Sequence, residues 1–145
     1  MHDKVRPNPG SATERADMSV RDLCTAYLAG LDAGDLDAVL ALFAPDAVVV
    51  SPLYGTQPAR DFYAALFADT AQSDTTLLTL FDSSDTGGAV ALHFRYGWTL
   101  ADGTPVTFEV VDVIELTVAR DAFAKLTIIY DTAPLRSAWA TVHNG

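Results

Sequence analysis

Two long segments of alternating polarity, joined by one short turn signal, constrain this chain more than any other feature. In GGAVALHFRYGWTL (87–100), Val90, Leu92, Phe94, Tyr96, Trp98 and Leu100 recur at every second position, with Ala91, His93, Arg95, Gly97 and Thr99 between them. In VTFEVVDVIEL (106–116), Val106, Phe108, Val110, Ile114 and Leu116 recur in the same way. A period of two places each set on one face of a β-strand. The intervening ADG (101–103) turns the chain, so the two segments predict a long antiparallel hairpin with one apolar face. One residue breaks the pattern: Asp112 shares the apolar face of the second strand.

The length of the turn decides where that carboxyl points. With Asp102-Gly103 alone as a two-residue turn, Ala101 faces Thr104, and Asp112 lies opposite His93 as an ordinary cross-strand pair. With Ala101-Asp102-Gly103 as a three-residue loop, Gly103 takes the left-handed position and Asp112 lies opposite Leu92, beside Phe94, Tyr96 and Trp98. Burial favours the second register. It keeps apolar residues together and gathers His93, Arg95 and Glu109 on the other face; a slip of one residue scrambles both.

The elements before the hairpin are of a different kind. Ser19 is a suitable N-cap for a helix carrying Val20, Leu23, Cys24, Tyr27, Leu28 and Leu31, and Gly34 breaks it. Asp35 caps a second helix with Leu36, Val39, Leu40 and Phe43, ended by Pro45. Residues 47–51 read as a short apolar strand and PLYGTQP (52–58) as a loop. A third helix carries Phe62, Leu66 and Phe67. TTLLTLFDS (75–83) and AFAKLTIIYD (122–131) read as further strands. Helices followed by an antiparallel meander predict an α+β fold: a curved sheet covered by three N-terminal helices, enclosing a cone-shaped pocket. Residues 1–18, polar with Pro, Gly and Ser, are read as a disordered arm, with Met18 as an alternative start. Residues 19–138 are read as one domain and 139–145 as a C-terminal tail.

Charge and cysteine content narrow the partners. Nineteen acidic residues against nine basic ones give a formal charge of −10, which disfavours nucleic acid, and no basic cluster favours an anionic membrane. Cys24 is the only cysteine, which leaves no intrachain disulfide and suits a reducing cytoplasm. The histidines stand at 2, 93 and 143, a spacing that makes no metal site, and there is no glycine-rich phosphate loop.

AYLAGLDAGDLDAVLALFAPDAVVVSP (26–52) resembles the opening of the nuclear transport factor 2-like superfamily, in particular its ketosteroid isomerase and SnoaL-like polyketide cyclase branches. FEVVDVIEL (108–116) resembles the strand that carries the buried aspartate of ketosteroid isomerase, and LTIIYDTAPLR (126–136) the last strand of SnoaL-like proteins. The resemblance spans about residues 20–136. It implies that Tyr27 and a protonated Asp112 donate hydrogen bonds to a developing oxyanion. The apolar neighbours of Asp112 give a physical reason, because desolvation disfavours a carboxylate.

The family's catalytic base precedes proline after the first strand. Here that position is Ser51, whose hydroxyl is a poor base. In the limonene epoxide hydrolases of the superfamily the chemistry rests on an arginine and two aspartates; Arg95 falls near the former, but Gly97 and Ile128 stand where aspartates are needed. Ser51, Tyr54, Leu92, Phe94, Trp98, Phe108, Val110 and Tyr130 are expected to contact the substrate. The expectation is a cofactor-free isomerase or cyclase, including pericyclic ring closure, acting on a hydrophobic carbonyl-bearing molecule such as a polyketide. Alternatives are a steroid isomerase-like shuttle with a relocated base, such as Asp131, or a non-catalytic binding or dimerisation domain. The family pattern also implies a homodimer through the outer sheet face, where Val111 and Val113 stand.

Overall fold

The structure is a computed structural model that describes residues 18–83 and 88–144. The arm expected over 1–18 lies outside the described residues except for Met18. Helix α1 (Val20–Ala33) begins at Ser19, whose hydroxyl accepts from Asp22 N at 3.0 Å while the Asp22 carboxylate accepts from Ser19 N at 3.4 Å. This reciprocal cap satisfies two of the amides that a helix start leaves without partners. Gly34, at φ 64°, ends the helix. Helix α2 (Leu36–Leu40) is capped by Asp35, which accepts from Ala38 N at 3.1 Å. It packs tightly on α1: a Cβ added to Gly30 would stand 2.8 Å from Val39 Cγ2.

Strand β1 (Phe43–Ser51) starts earlier than the apolar run of 47–51 suggests. Phe43 and Pro45 therefore belong to strand, not to the second helix; a shift in register between Phe43 and Val48 absorbs the proline. The loop expected over 52–58 contains a short edge strand, β2 (Gly55–Pro58), paired with β1. Helix α3 (Ala59–Ala68) follows and buries Phe62, Tyr63 and Leu66. Strands β3 (Thr70–Asp82), β4 (Val90–Leu100), β5 (Pro105–Leu116) and β6 (Phe123–Ile129) complete a sheet in the order β2-β1-β6-β5-β4-β3. Among the described strands, only β1 and β6 pair in parallel.

The β4–β5 hairpin uses the three-residue loop. Leu100 N donates to Thr104 O and Gly103 N to Leu100 O, both at 2.8 Å, and Gly103 has φ 92°. Leu92 consequently pairs with Asp112, Phe94 with Val110 and Tyr96 with Phe108. Burial alternates along β4, with Val90, Leu92, Phe94, Tyr96, Trp98 and Leu100 all inward. Each such large apolar side chain contributes about 1.5–3 kcal/mol on leaving water. His93 and Glu109 meet on the outer face, at 2.9 Å between His93 Nε2 and Glu109 Oε1.

The tail expected from 139 is instead the larger part of a fourth helix, α4 (Arg136–Asn144). It forms because Ala138, Trp139 and Val142 share a face that packs against the core. No described helix is long and apolar enough to cross a membrane.

Candidate active site

The helices and the concave face of the sheet surround a narrow pocket of about 40 Å³. Helix α1 contributes Tyr27 and Leu31, and α3 contributes Phe62 and Leu66. The turn after β1 contributes Ser51 and Tyr54. Phe94, Tyr96 and Trp98 come from β4, and Phe108, Val110 and Asp112 from β5. Ile128 and Tyr130 close the wall at the end of β6. The aromatic part is continuous: Tyr96 and Trp98 stack at 6.1 Å between centroids, Tyr96 meets Phe108 at 5.5 Å, and Phe108 meets Tyr130 at 4.9 Å.

Asp112 is 1 % exposed, and neither carboxyl oxygen has a hydrogen-bond partner among the described residues. Burial pushes its pKa well above the ordinary carboxylate range; the nearby Tyr27 hydroxyl opposes this with less effect. A buried ionised carboxylate without a partner is far costlier than a neutral acid, so the carboxyl is held protonated. A protonated carboxyl in an apolar wall is a hydrogen-bond donor.

Tyr27 is equally buried, and its hydroxyl lies 2.8 Å from that of Tyr63, where either can donate. Burial, followed by the neighbouring Tyr63 and Asp112, raises the Tyr27 pKa. Both phenols are therefore donors at neutral pH. Burial also raises the pKa values of Tyr54, Tyr96 and Tyr130. Among the described residues, Asp112 is the only acid in this wall, and no Lys, Arg or His joins it. The adjacent Cys24 thiol is pushed up to about 12 by burial, which removes it as a nucleophile at neutral pH.

Ser51 caps the turn that follows it. Its Oγ accepts from Leu53 N at 3.2 Å and from Tyr54 N at 3.1 Å. Two accepted bonds leave the hydroxyl its proton to give, so Ser51 is disposed to donate and is a still weaker base than an isolated serine. Asp131 does not replace it: that residue is exposed and accepts from Ala133 N at 3.0 Å in a local turn.

Of the residues expected at the site, Asp112, Tyr27, Ser51, Tyr54, Phe94, Trp98, Phe108, Val110 and Tyr130 line one pocket. Leu92 does not; it is fully buried in β4 opposite Asp112 and supports the wall from within the core. Tyr96, Leu31, Phe62, Leu66 and Ile128 were not among the expected contacts, nor was Tyr63 as the partner of Tyr27. Tyr96 was legible from its place on the apolar face of β4. Tyr63 was legible only as part of the apolar stripe of α3.

Around Tyr54 of the pocket wall stands a second polar arrangement that sequence reasoning missed. Tyr54 Oη donates to Asp69 Oδ2 at 2.5 Å, and His143 Nε2 meets the same oxygen at 2.6 Å. The Trp139 ring lies 5.5 Å from Tyr54 and 4.1 Å from His143. Helix α4 is thereby fastened to a residue of the pocket wall.

Solved structures of similar shape place this architecture among known folds. A hypothetical protein of ketosteroid isomerase-like fold from Catenulispora acidiphila, in complex with trimethylamine, aligns with a TM-score of 0.69 at 17% identity, over 84% of this chain and 95% of that one. TerC co-crystallised with polyporic acid aligns with a TM-score of 0.67 at 18% identity, over 87% and 98%. The epoxide hydrolase/cyclase-like enzyme SalBIII, with a role in pyran ring formation in the polyether salinomycin, aligns with a TM-score of 0.67 at 16% identity, over 79% and 92%. At these identities the likeness is one of fold. The sequence profile of the SnoaL-like domain matches residues 24–122. With that match across the first three helices and most of the sheet, and with the cone around Asp112 in place, this chain belongs to the SnoaL-like domain family of the nuclear transport factor 2-like superfamily.

Proposed function

We propose that the protein is an isomerase or cyclase of hydrophobic, carbonyl-bearing small molecules, polyketides among them, and that its own side chains carry the reaction without a cofactor. The observation that carries this reading is the Asp112 carboxyl, buried in the pocket wall with both oxygens lacking a partner. Such a group costs about 1–3 kcal/mol of stability. A ligand oxygen beside it recovers that energy.

A protonated Asp112 and Tyr27 donate to one oxygen of the ligand and stabilise negative charge as it develops there. The wall of Phe94, Trp98, Phe108 and Tyr130 folds an apolar chain into a reactive shape, which is an entropic contribution. Ser51 in place of a carboxylate favours ring closure driven by positioning and hydrogen bonding over proton abstraction at that point. The cyclase-like description of SalBIII and the polyporic acid bound to TerC support the same class of ligand. A second copy of the chain is expected on the outer sheet face, where Ile129 is 53% exposed and Val111 and Val113 are half-buried.

The test uses 2-naphthol as a probe with an aromatic body and one oxygen. Fluorescence titration is expected to show binding to the unaltered protein. Replacement Asp112→Leu should weaken that binding by about tenfold or more, the loss of a strong hydrogen bond. Unchanged binding in Asp112→Leu would remove the donor role and leave a binding domain with a structural acid. Carbon-detected NMR of the Asp112 carboxyl is a second check; an ionised signal at pH 7 contradicts the proposal.

A further inference from the structure

The Tyr96 hydroxyl lies 2.9 Å from the Ser73 hydroxyl, and both residues are nearly buried. Tyr96 belongs to the pocket wall. Ser73, on the edge strand β3, lines a different depression, where the end of α1 meets the start of β3. That depression is lined also by Asp32, Gly34, Thr70 and Gln72, and Leu31 belongs to both walls. The Asp32 carboxylate at its rim is exposed and accepts from Thr75 N at 2.8 Å and from Thr75 Oγ1 at 3.1 Å.

A second polar link joins the two spaces, and the contrast is informative. Trp98 Nε1 donates to Thr70 Oγ1 at 2.8 Å, and that hydroxyl in turn donates to Leu66 O. An indole can only donate, so this link is static. Phenol and serine hydroxyls both donate and accept, so the Tyr96–Ser73 link can reverse its direction.

We propose that Tyr96 and Ser73 form a proton port between the pocket and the outer depression. A proton leaving a bound molecule is taken by Tyr96 Oη while the Tyr96 proton passes to Ser73 Oγ. The Ser73 proton leaves to water in the depression, on the side where Asp32 holds its carboxylate. The bound molecule keeps the electron pair as negative charge on the oxygen held by Asp112. Run in reverse, the same path returns a proton to another atom of the molecule. Tyr96 is the group that meets the ligand, and Ser73 is a relay. The port supplies the proton traffic that Ser51 cannot, and in this it rests on the pocket being a reaction site.

The port is testable without a substrate. In full-length protein carrying tyrosine labelled with ¹³C at Cζ, mixed H₂O/D₂O reports hydroxyl exchange as averaged or split lines, with Y96F identifying the Tyr96 signal. The unaltered protein should show an averaged Tyr96 line. S73A should slow exchange by about tenfold or more and split it, and S73T should restore averaging. A bond that merely protects the Tyr96 proton gives the opposite sign, because deleting it speeds exchange. Unchanged or faster exchange in S73A therefore overturns the port. Where S73A does not fold, S73C carries the same expectation, since a thiol is a poor relay. Naphthol binding measured on the same samples separates the readings: intact binding with unslowed exchange overturns the port alone, and lost binding with slowed exchange leaves the port standing.

Discussion

Asp112, in the pocket wall, and Asp69, which holds the wall residue Tyr54, are two aspartates treated in opposite ways. Asp69 accepts from Tyr54 and meets His143 on a single oxygen, with its side chain 16% exposed. Asp112, in the wall, is 1 % exposed and, among the described residues, has no partner for either oxygen. The first binds a helix to the domain; the second opposes folding. A carboxyl engaged by the protein's own donors is part of the scaffold, whereas one held unmatched against apolar neighbours is available to something the protein does not itself contain.

Removing Asp69 should therefore be the most damaging change. Asp69→Ala leaves the Tyr54 hydroxyl and the His143 ring without their shared acceptor and should lower stability by about 3 kcal/mol in urea denaturation. Asp112→Leu should act in the opposite direction and raise stability at pH 7 by about 1–3 kcal/mol. A loss from Asp112→Leu would erase the contrast between the two sites.

The pH dependence sharpens it further. Below the ordinary carboxylate range, Asp112 is protonated whether the chain is folded or not. As pH rises through that range the unfolded chain releases the proton while the folded one keeps it, because the folded pKa is raised. Stability then falls with rising pH by up to about 1.4 kcal/mol per unit from this group, until the folded pKa is reached. Asp112→Asn should abolish that slope relative to the unaltered protein. The smallest expected effect is at Tyr63→Phe, which deletes the bond to Tyr27 and should cost about 1 kcal/mol by the same denaturation measurement.

These contrasts also show what local sequence encodes. Asp112 was legible because two local rules converge on it: strand alternation assigns its face, and Gly103 in the left-handed position selects the register. The expected walls of the pocket followed from the same alternation, with Leu92 the exception, since one face of a strand contains both wall and deeper core. Asp69 was not legible. Its partners lie 15 and 74 residues away, and nothing about any of the three residues taken singly marks the meeting. Helix α4 was hidden for the same reason: its pattern is short, and Trp139 becomes a core residue only once Tyr54 stands against it. Strand β2 was concealed by its turn-forming composition, which an edge of four residues tolerates.

The sheet order has a consequence for how such a chain comes to be folded. β1 lies between β2 and β6, yet β3, β4 and β5 come between β1 and β6 along the chain. While the hairpin of β4 and β5 is local and can form as soon as it is synthesised, β1 has only the four residues of β2 beside it until β6 arrives. The parallel β1–β6 seam closes a long loop of chain, the slow kind of contact. The cone, and with it the pocket, is thus completed only when β6 joins β1, and a chain halted before Phe123 has a hairpin but no vessel.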